Sequence, residues 1–525
     1  MKGRGVALAL FATGFVLVFH AWLFSGFDLA FSDSEDGYLA LALIEHWHHV
    51  FTGAAHWTDP FFFHPQPGTL GYTDAFFLFG LVHAPLRMLG LDAFTAYMLV
   101  MAALAAVGFF GFRWLAMRHF GVPPGVAAVG GFLFAFATVD AVKLIHVQAY
   151  AAMLLPGLCG LFLTGMNARR YGALAGAAAG LLYGLMFLTA FQTSWFFGVF
   201  LLLAGLVAPV ALARTLWAKR AVVIAAGIGF AVGIVPFLVL YVPVFLAGHS
   251  RDFAEVAGNM PDWRDLANVT PDNAVWGPLL KWLTIVGRPD RPVWEVELGF
   301  TPIVLAAFAV GLGLLAVRRP ARNDTVLLAF GLAVVALWLL QMDYVGWRPW
   351  HAVWAVVPGA KAIRYTFRSQ LVANLFVTLI VARMLATVAL ATMARARAAA
   401  VLLGVALMVE QINLTWPATM SRREALAWID AAPAAPPGCR AFYLLPGPSP
   451  RNGPQRQDDA MLFAELRGIP TVNGYSSWLP DGWALDEPAS PGYATAVRGW
   501  AGRTGIAAQL CGLDPRSGRW TEGLP

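Results

Sequence analysis

The feature that most restricts this chain is a succession of hydrophobic runs, each close to the roughly 20 residues needed to cross a bilayer as a helix. Reading for that length gives about eleven of them, near 5–25, 93–117, 122–139, 148–166, 171–190, 193–213, 221–246, 298–317, 325–341, 370–391 and 398–415. Only 13% of the 525 residues are charged and 59% are hydrophobic, against about 25% charged in ordinary soluble domains. Lipid is therefore the expected solvent for most of the chain. The expected fold is an all-α polytopic membrane bundle over 1–415, followed by a small α+β module over 416–525. The N-terminal run, after Lys2 and Arg4, has no small-residue cleavage site before Asp28 and reads as an uncleaved first span.

A formal charge of +6 would suit a nucleic-acid partner, but the basic residues lie in short groups between apolar runs rather than along one stripe. That pattern reports membrane topology and argues against nucleic acid. The segment 74–90 is apolar but interrupted by His83, Pro85 and Arg87, which suits a helix lying at the interface. With 74–90 kept out of the bilayer, Lys2/Arg4, Arg113/Arg118, Arg169/Arg170, Arg214/Lys219/Arg220, Arg318/Arg319/Arg322 and Arg395/Arg397 all fall on one side. That side is cytoplasmic by the positive-inside rule. The expected location is a bacterial inner membrane, with outer loops 26–92, 247–297 and 342–369 and the tail on the periplasmic face. Cys439 and Cys511 lie in that tail and could pair in an oxidising compartment or stay as separate thiols.

Directly after the first run comes FSDSEDGYLALALIEHWHHVFTG. Leu43, Ile44, Trp47, Val50 and Phe51 follow helical spacing, which predicts an amphipathic surface helix over 36–52 with Glu45, His48 and His49 on its polar face. Ser32 and Glu35 fit a capping box, and Asp33 and Asp36 fit the acid preference of a first turn. Those ordinary roles compete with a functional one, since carboxylates at the mouth of a membrane bundle are costly. Phe61, Phe62 and Phe63 have the composition of interfacial anchors.

The acidic group after the first run, the Ile-Glu-His run, DPFFFHPQPGTLGYTD ending at Asp74, and GLDAFTAYML after the interfacial segment together resemble the GT-C superfamily of integral membrane glycosyltransferases. PGAKAIRYTFR at 358–368 and AMLFAELRGIPTVNGYSSWLPDGW at 460–483 extend the likeness over most of the chain. The resemblance implies a GT-C-like bundle and an enzyme, inverting in stereochemistry, that moves a sugar from a polyprenyl-phosphate donor to an envelope glycan, lipid or protein at the outer face. It also implies that a first-loop aspartate acts on the acceptor, here Asp36 with Asp33 second. Asp33-Ser34-Glu35-Asp36 contains no strict Asp-x-Asp, so Mg2+ or Mn2+ at Asp33 and Asp36 stays open.

Such chemistry needs a base for the acceptor hydroxyl and positive charge for the departing phosphate. Arg364 and Arg368 lie on the outer side against the charge bias, and on a helix their four-residue spacing would put both on one face. Lys361 and Lys143 are weaker members of that set, with lipid headgroups as the competing use. Glu45, His46, His64, Asp74, His146 and Gln148 are further substrate-contact candidates, and Glu295 and Glu297 more distant ones. His46, His49, His56 and His64 lack any HExxH pattern, which argues against zinc. Trp263, Trp276, Trp282, Trp294, Trp478 and Trp483 could stack on sugars or anchor the interface. The competing functions are a transporter or flippase, which would keep ionisable sites near the midplane, and a non-enzymatic envelope assembly protein. Within the runs only Arg383 and Glu410 fit the transporter expectation.

Overall fold

The structure, a computed structural model, describes residues 2–137, 145–168, 170–288, 293–317, 322–414 and 418–525. It is mostly helical, with a small mixed sheet near the C-terminus. Within the described residues the hydrophobic runs fold as helix, but their lengths differ. Among the described residues, five helical stretches are long and apolar enough to cross a membrane: Gly3–Phe24, Ala93–Phe120, Val147–Asn167, Asp324–Gln341 and Thr366–Ala389. Two more runs, near 193–213 and 221–246, are bent helix pairs, so up to seven spans meet that test. The other runs fold as shorter helices, Pro124–Ala135, Gly172–Phe187, Pro302–Val317 and Ala394–Val409. The chain is a multi-pass membrane protein.

The helix Thr366–Ala389 lies at the centre, with residues 371–382 all buried. Elsewhere the apolar faces turn outward: Ile224, Ile228 and Val232, four apart on the helix Arg220–Gly233, are each about 60% exposed, as a lipid-facing stripe requires. The opposite face of that helix meets Gly172–Phe187 with backbones almost touching. A Cβ at Gly180 or Gly229 would run into the partner's backbone, the small-residue contact that lets apolar helices associate without a hydrophobic drive.

After α1, Lys2–Phe24, two helices of the loop that follows set the site. α2, Asp36–Thr52, has the limits its periodicity predicts, but its faces do not divide as expected. Glu45 and His46 are buried, at 1% and 0% exposure, Glu45 against His83 and Arg87 and His46 against the Trp57 carbonyl, while a second layer meets His49. α3, Phe77–Met88, is a 12-residue helix, about 18 Å long and too short to span. It packs on α2 through Glu45, whose carboxylate accepts from His83 Nε2 at 2.7 Å and Arg87 Nε at 2.9 Å.

The second layer is the C-terminal module. β3, Ala441–Leu444, pairs in parallel with β4, Leu510–Asp514, which pairs antiparallel with β5, Arg519–Thr521. A disulfide joins Cys439 to Cys511 beside this sheet. The helix Gly453–Arg467 packs on α2, and β1, Leu29–Phe31, pairs antiparallel with β2, Thr419–Ser421, tying the first loop to the start of the module. Phe61, Phe62 and Phe63 belong to this junction and are not headgroup anchors. Phe62 and Phe63 are fully buried, and the backbone from Phe61 to His64 hydrogen-bonds to Thr471 and Asn473. Gly474 has no room for a Cβ because the Phe63 ring lies against it, 2.7 Å from that position.

Candidate active site at the outer rim

The turn leading into α2 is held from several directions, which fixes where its acids sit. The expected capping box does not form. Ser32 Oγ reaches across to the carbonyl of Ile145 at 2.5 Å, and Asp33 Oδ1 takes the capping role, accepting from the N–H groups of Glu35 and Asp36 at 2.9 Å each. Arg451, from the module, donates to the Ser34 side chain and carbonyl and also pairs with Asp459. Burial first, then the charges of Asp33 and Asp36, push the Glu35 carboxyl above its usual range.

Asp36 points from this turn to His146, with Oδ2 3.0 Å from Nδ1. The other ring nitrogen of His146 lies 3.2 Å from Glu295 Oε1. Glu295 in turn takes both Nη2 and Nε of Arg368, at 2.6 and 2.9 Å, and Arg368 Nη1 donates to Gln192 at 3.2 Å. A neutral imidazole carries a single N–H, so the Asp36–His146–Glu295 line is fully bonded only when it holds one additional proton. Four candidates from the sequence line one cavity: Asp74, His146, Gln148 and Arg368, joined by Gln192 and Thr193. Asp74 accepts from the N–H of Phe191, and burial raises its pKa although Arg368 opposes that shift.

Arg364 and Arg368 do not share a helical face. Arg364 precedes a short 3-10 turn that contains Arg368, and the two guanidiniums lie against the same ring, Tyr365, at 4.9 and 5.0 Å. Arg364 is bonded to Glu255 and its side chain is 46% exposed, against 15% for Arg368. Lys361 packs on Trp354 nearby, and Arg251, also bonded to Glu255, packs on Trp478. Lys143 lies outside the described residues.

Other candidates have structural partners. Glu45 is the clamp between α2 and α3 and does not face the rim. His46 is buried, bonded to the carbonyl of Trp57, and burial lowers its pKa to about 4. His64 sits in the module junction, its carbonyl accepting from Trp500 Nε1. His49 bonds to the Glu465 carbonyl and His56 to Thr58, so the first-loop histidines diverge. No group of three or more His, Cys, Asp or Glu side chains among the described residues could hold a metal ion, and Asp33 already spends one oxygen on the α2 turn. The donor set at Asp33 and Asp36 therefore does not fit Mg2+ or Mn2+. Trp483 is buried against Phe63 and Trp276 donates to Glu410, while Trp263 and Trp282 are exposed. Sequence reading missed Gln192, Glu255 and Arg451, whose polar side chains have no local pattern to mark them.

No protein-family model matches the sequence, and a search of curated proteins finds no match. A search of solved structures finds alignments along the chain. The oligosaccharyltransferase of Archaeoglobus fulgidus aligns over 97% of this chain and 69% of its own at 12% identity and a TM-score of 0.48. Arabinofuranosyltransferase AftD from Mycobacteria aligns over 99% of this chain and 37% of its own, at 16% identity and 0.46. ArnT from Cupriavidus metallidurans aligns over 91% of this chain and 87% of its own, at 15% and 0.40. The similarity runs over nearly the whole chain at low identity.

Proposed function

We propose that the protein is an integral membrane glycosyltransferase of the GT-C kind, moving a sugar from a polyprenyl-phosphate donor to an envelope glycan, lipid or protein at the periplasmic face. The observation that carries this reading is the bonded line from Asp36 through His146 and Glu295 to Arg368. It links a partly exposed carboxylate to a guanidinium at the rim of the bundle, where a lipid-borne donor and a water-borne acceptor can meet.

In the reaction Asp36 takes the proton of the acceptor hydroxyl. The acceptor oxygen bonds to the anomeric carbon as that carbon's bond to the donor phosphate oxygen breaks, and the electron pair leaves with the polyprenyl phosphate. A single displacement of this kind inverts the anomeric centre. The phosphate gains negative charge, which Arg364, the more exposed of the two arginines, is placed to meet, with Lys361 beside it. His146 and Glu295 give the proton on Asp36 a bonded neighbour. Asp33 acts by positioning, since its hydrogen bonds shape the turn that presents Asp36.

Arg383 and Glu410, the ionisable residues that bear on transport, do not favour it. Arg383 is bonded to Asp324 at 3.0 Å, and Glu410 accepts the first N–H groups of the helix Pro302–Val317. The decisive experiment is turnover of labelled polyprenyl-phosphate sugars by the purified protein. Asp36→Asn is expected to abolish transfer while the protein stays folded; undiminished transfer would remove Asp36 from the reaction.

A further inference from the structure

Glu255 stands among the cations of the donor side, and the reaction above gives it no task. It lies on the short helix Phe253–Gly258 with its side chain 32% exposed. One of its oxygens serves two arginines: Glu255 Oε1 accepts from Arg251 Nη1 at 3.3 Å and lies 3.0 Å from Arg364 Nε. Lys361 belongs to the same group. The Arg251 N–H donates to the Lys361 carbonyl at 2.8 Å, and the Arg251 carbonyl accepts from the indole N–H of Trp354, whose ring lies 4.8 Å from Lys361 Nζ.

Each cation rests on an aromatic ring: Arg251 on Trp478 at 4.5 Å, Lys361 on Trp354, and Arg364 on Tyr365 at 4.9 Å. A ring holds a cation in place through its quadrupole but brings no formal charge. Among the described residues, Glu255 is the one carboxylate paired with Arg251, Lys361 or Arg364. Three positive charges are thus set against one negative charge, and the Lys361 ammonium and most of the Arg364 N–H donors stay unspent. A structural ion pair needs one cation for its carboxylate; the excess, on partly exposed side chains, makes a place for an anion.

We propose that Glu255 frees the used carrier: it weakens the site's hold on the doubly charged phosphate monoester left by transfer more than its hold on the singly charged phosphodiester of the donor. The inference rests on the glycosyl-transfer reading. A sugar joined to a polyprenol through phosphate carries one negative charge. When the bond from the anomeric carbon to the phosphate oxygen breaks, the electron pair stays on that oxygen, and the monoester holds nearly two negative charges above its second pKa of about 6. Coulomb repulsion scales with the charge of the ligand, so a carboxylate fixed beside the phosphate costs the product about twice the free energy it costs the donor. Without Glu255, Arg251, Lys361 and Arg364 would grip the product hardest at the moment it has to leave.

Binding alone tests this. The full-length protein at pH 8 would be titrated with farnesyl phosphate, a monoester, with methyl farnesyl phosphate, a diester on the same chain, and with farnesol as the uncharged control. The wild type should bind both phosphates more tightly than farnesol. Glu255→Gln, of the same shape without the charge, should tighten the diester about threefold and the monoester about tenfold, the larger factor being close to the square of the smaller. Glu255→Ala, which removes the charge with a different side chain, should show the same pattern, and Glu255→Asp, which keeps it, should stay within about twofold of the wild type. Arg251→Gln should weaken the monoester more than the diester. Equal factors for the two esters, no tightening in either neutral variant, or farnesol bound as tightly as the phosphates would each overturn the proposal. Ester binding that follows this pattern without sugar transfer by the wild type would sink the enzymatic reading and leave the charge discrimination standing; transfer abolished in Asp36→Asn, with ester affinities indifferent to Glu255, would sink the role of Glu255 alone.

Discussion

Arg364 and Arg368 stand four residues apart, pack on one tyrosine, and face different tasks because their carboxylate partners differ. Arg368 is committed to Glu295 through two hydrogen bonds, whereas Arg364 has a single partner and more water around it. Arg364→Ala is therefore expected to raise the donor KM about tenfold and leave the acceptor KM unchanged; equal effects on both would count against a phosphate role. Arg368→Ala should act differently, by removing a two-fold ion pair from the buried Glu295 at a cost of about 3–5 kcal/mol, read as lost yield and a lower Tm. His146→Ala, which breaks the line behind Asp36, should lower kcat by about 100-fold with little change in either KM. The sequence pointed to His146, Asp74, Gln148 and Arg368 as polar residues where the outer side should be, and they line one cavity. It could not show which carboxylates they meet, because Glu295 lies 149 residues from His146 and 73 from Arg368.

α2 shows how an element's limits can be legible while its environment is not. Apolar spacing fixed the helix over 36–52, but periodicity says only which residues share a face. It cannot tell that α3 will close over Glu45, or that residues 453–467, more than 400 positions away, will pack on the same helix and meet His49. Once buried, Glu45 works as a clamp: burial alone would raise its pKa, but the hydrogen bond and charge of His83, with Arg87, outweigh that and hold it below the ordinary glutamate value. A carboxylate depressed in the folded state gives stability that is complete above its unfolded pKa of about 4.3 and is lost as pH falls through the lower folded value. Glu45→Gln should flatten the acid limb of a stability profile taken below about pH 4, and should cost stability at neutral pH by leaving His83 and Arg87 unpaired. An unchanged acid limb would show that the clamp carries no linkage. Phe61, Phe62 and Phe63 were misread for the same reason, since an aromatic run near a membrane looks alike whether it faces headgroups or a second domain.

At the scale of the molecule, the apolar runs were enough to give a helical bundle, because lipid imposes helix, but five to seven of the eleven runs, not all of them, have the length and composition of a span. The module is legible only in outline, since its short strands depend on partners as far apart as Ala441 and Leu510. Its cysteines nevertheless bear on topology. Cys439 and Cys511 are joined across 72 residues, a closure worth about 4 kcal/mol in the chain-entropy account, and such bonds persist on the oxidising side of a membrane. On the proposed topology the helix Gly453–Arg467 shares a compartment with the donor and acceptor, and Trp217, 73% exposed beside Arg214 and Arg220, would face the cytoplasm. A cysteine reagent that cannot cross membranes should label position 455 in intact cells and position 217 only after permeabilisation. Labelling of 217 from outside would invert the bundle, put Asp36 and the module in the reducing compartment, and remove the transfer reaction together with the reason for the disulfide.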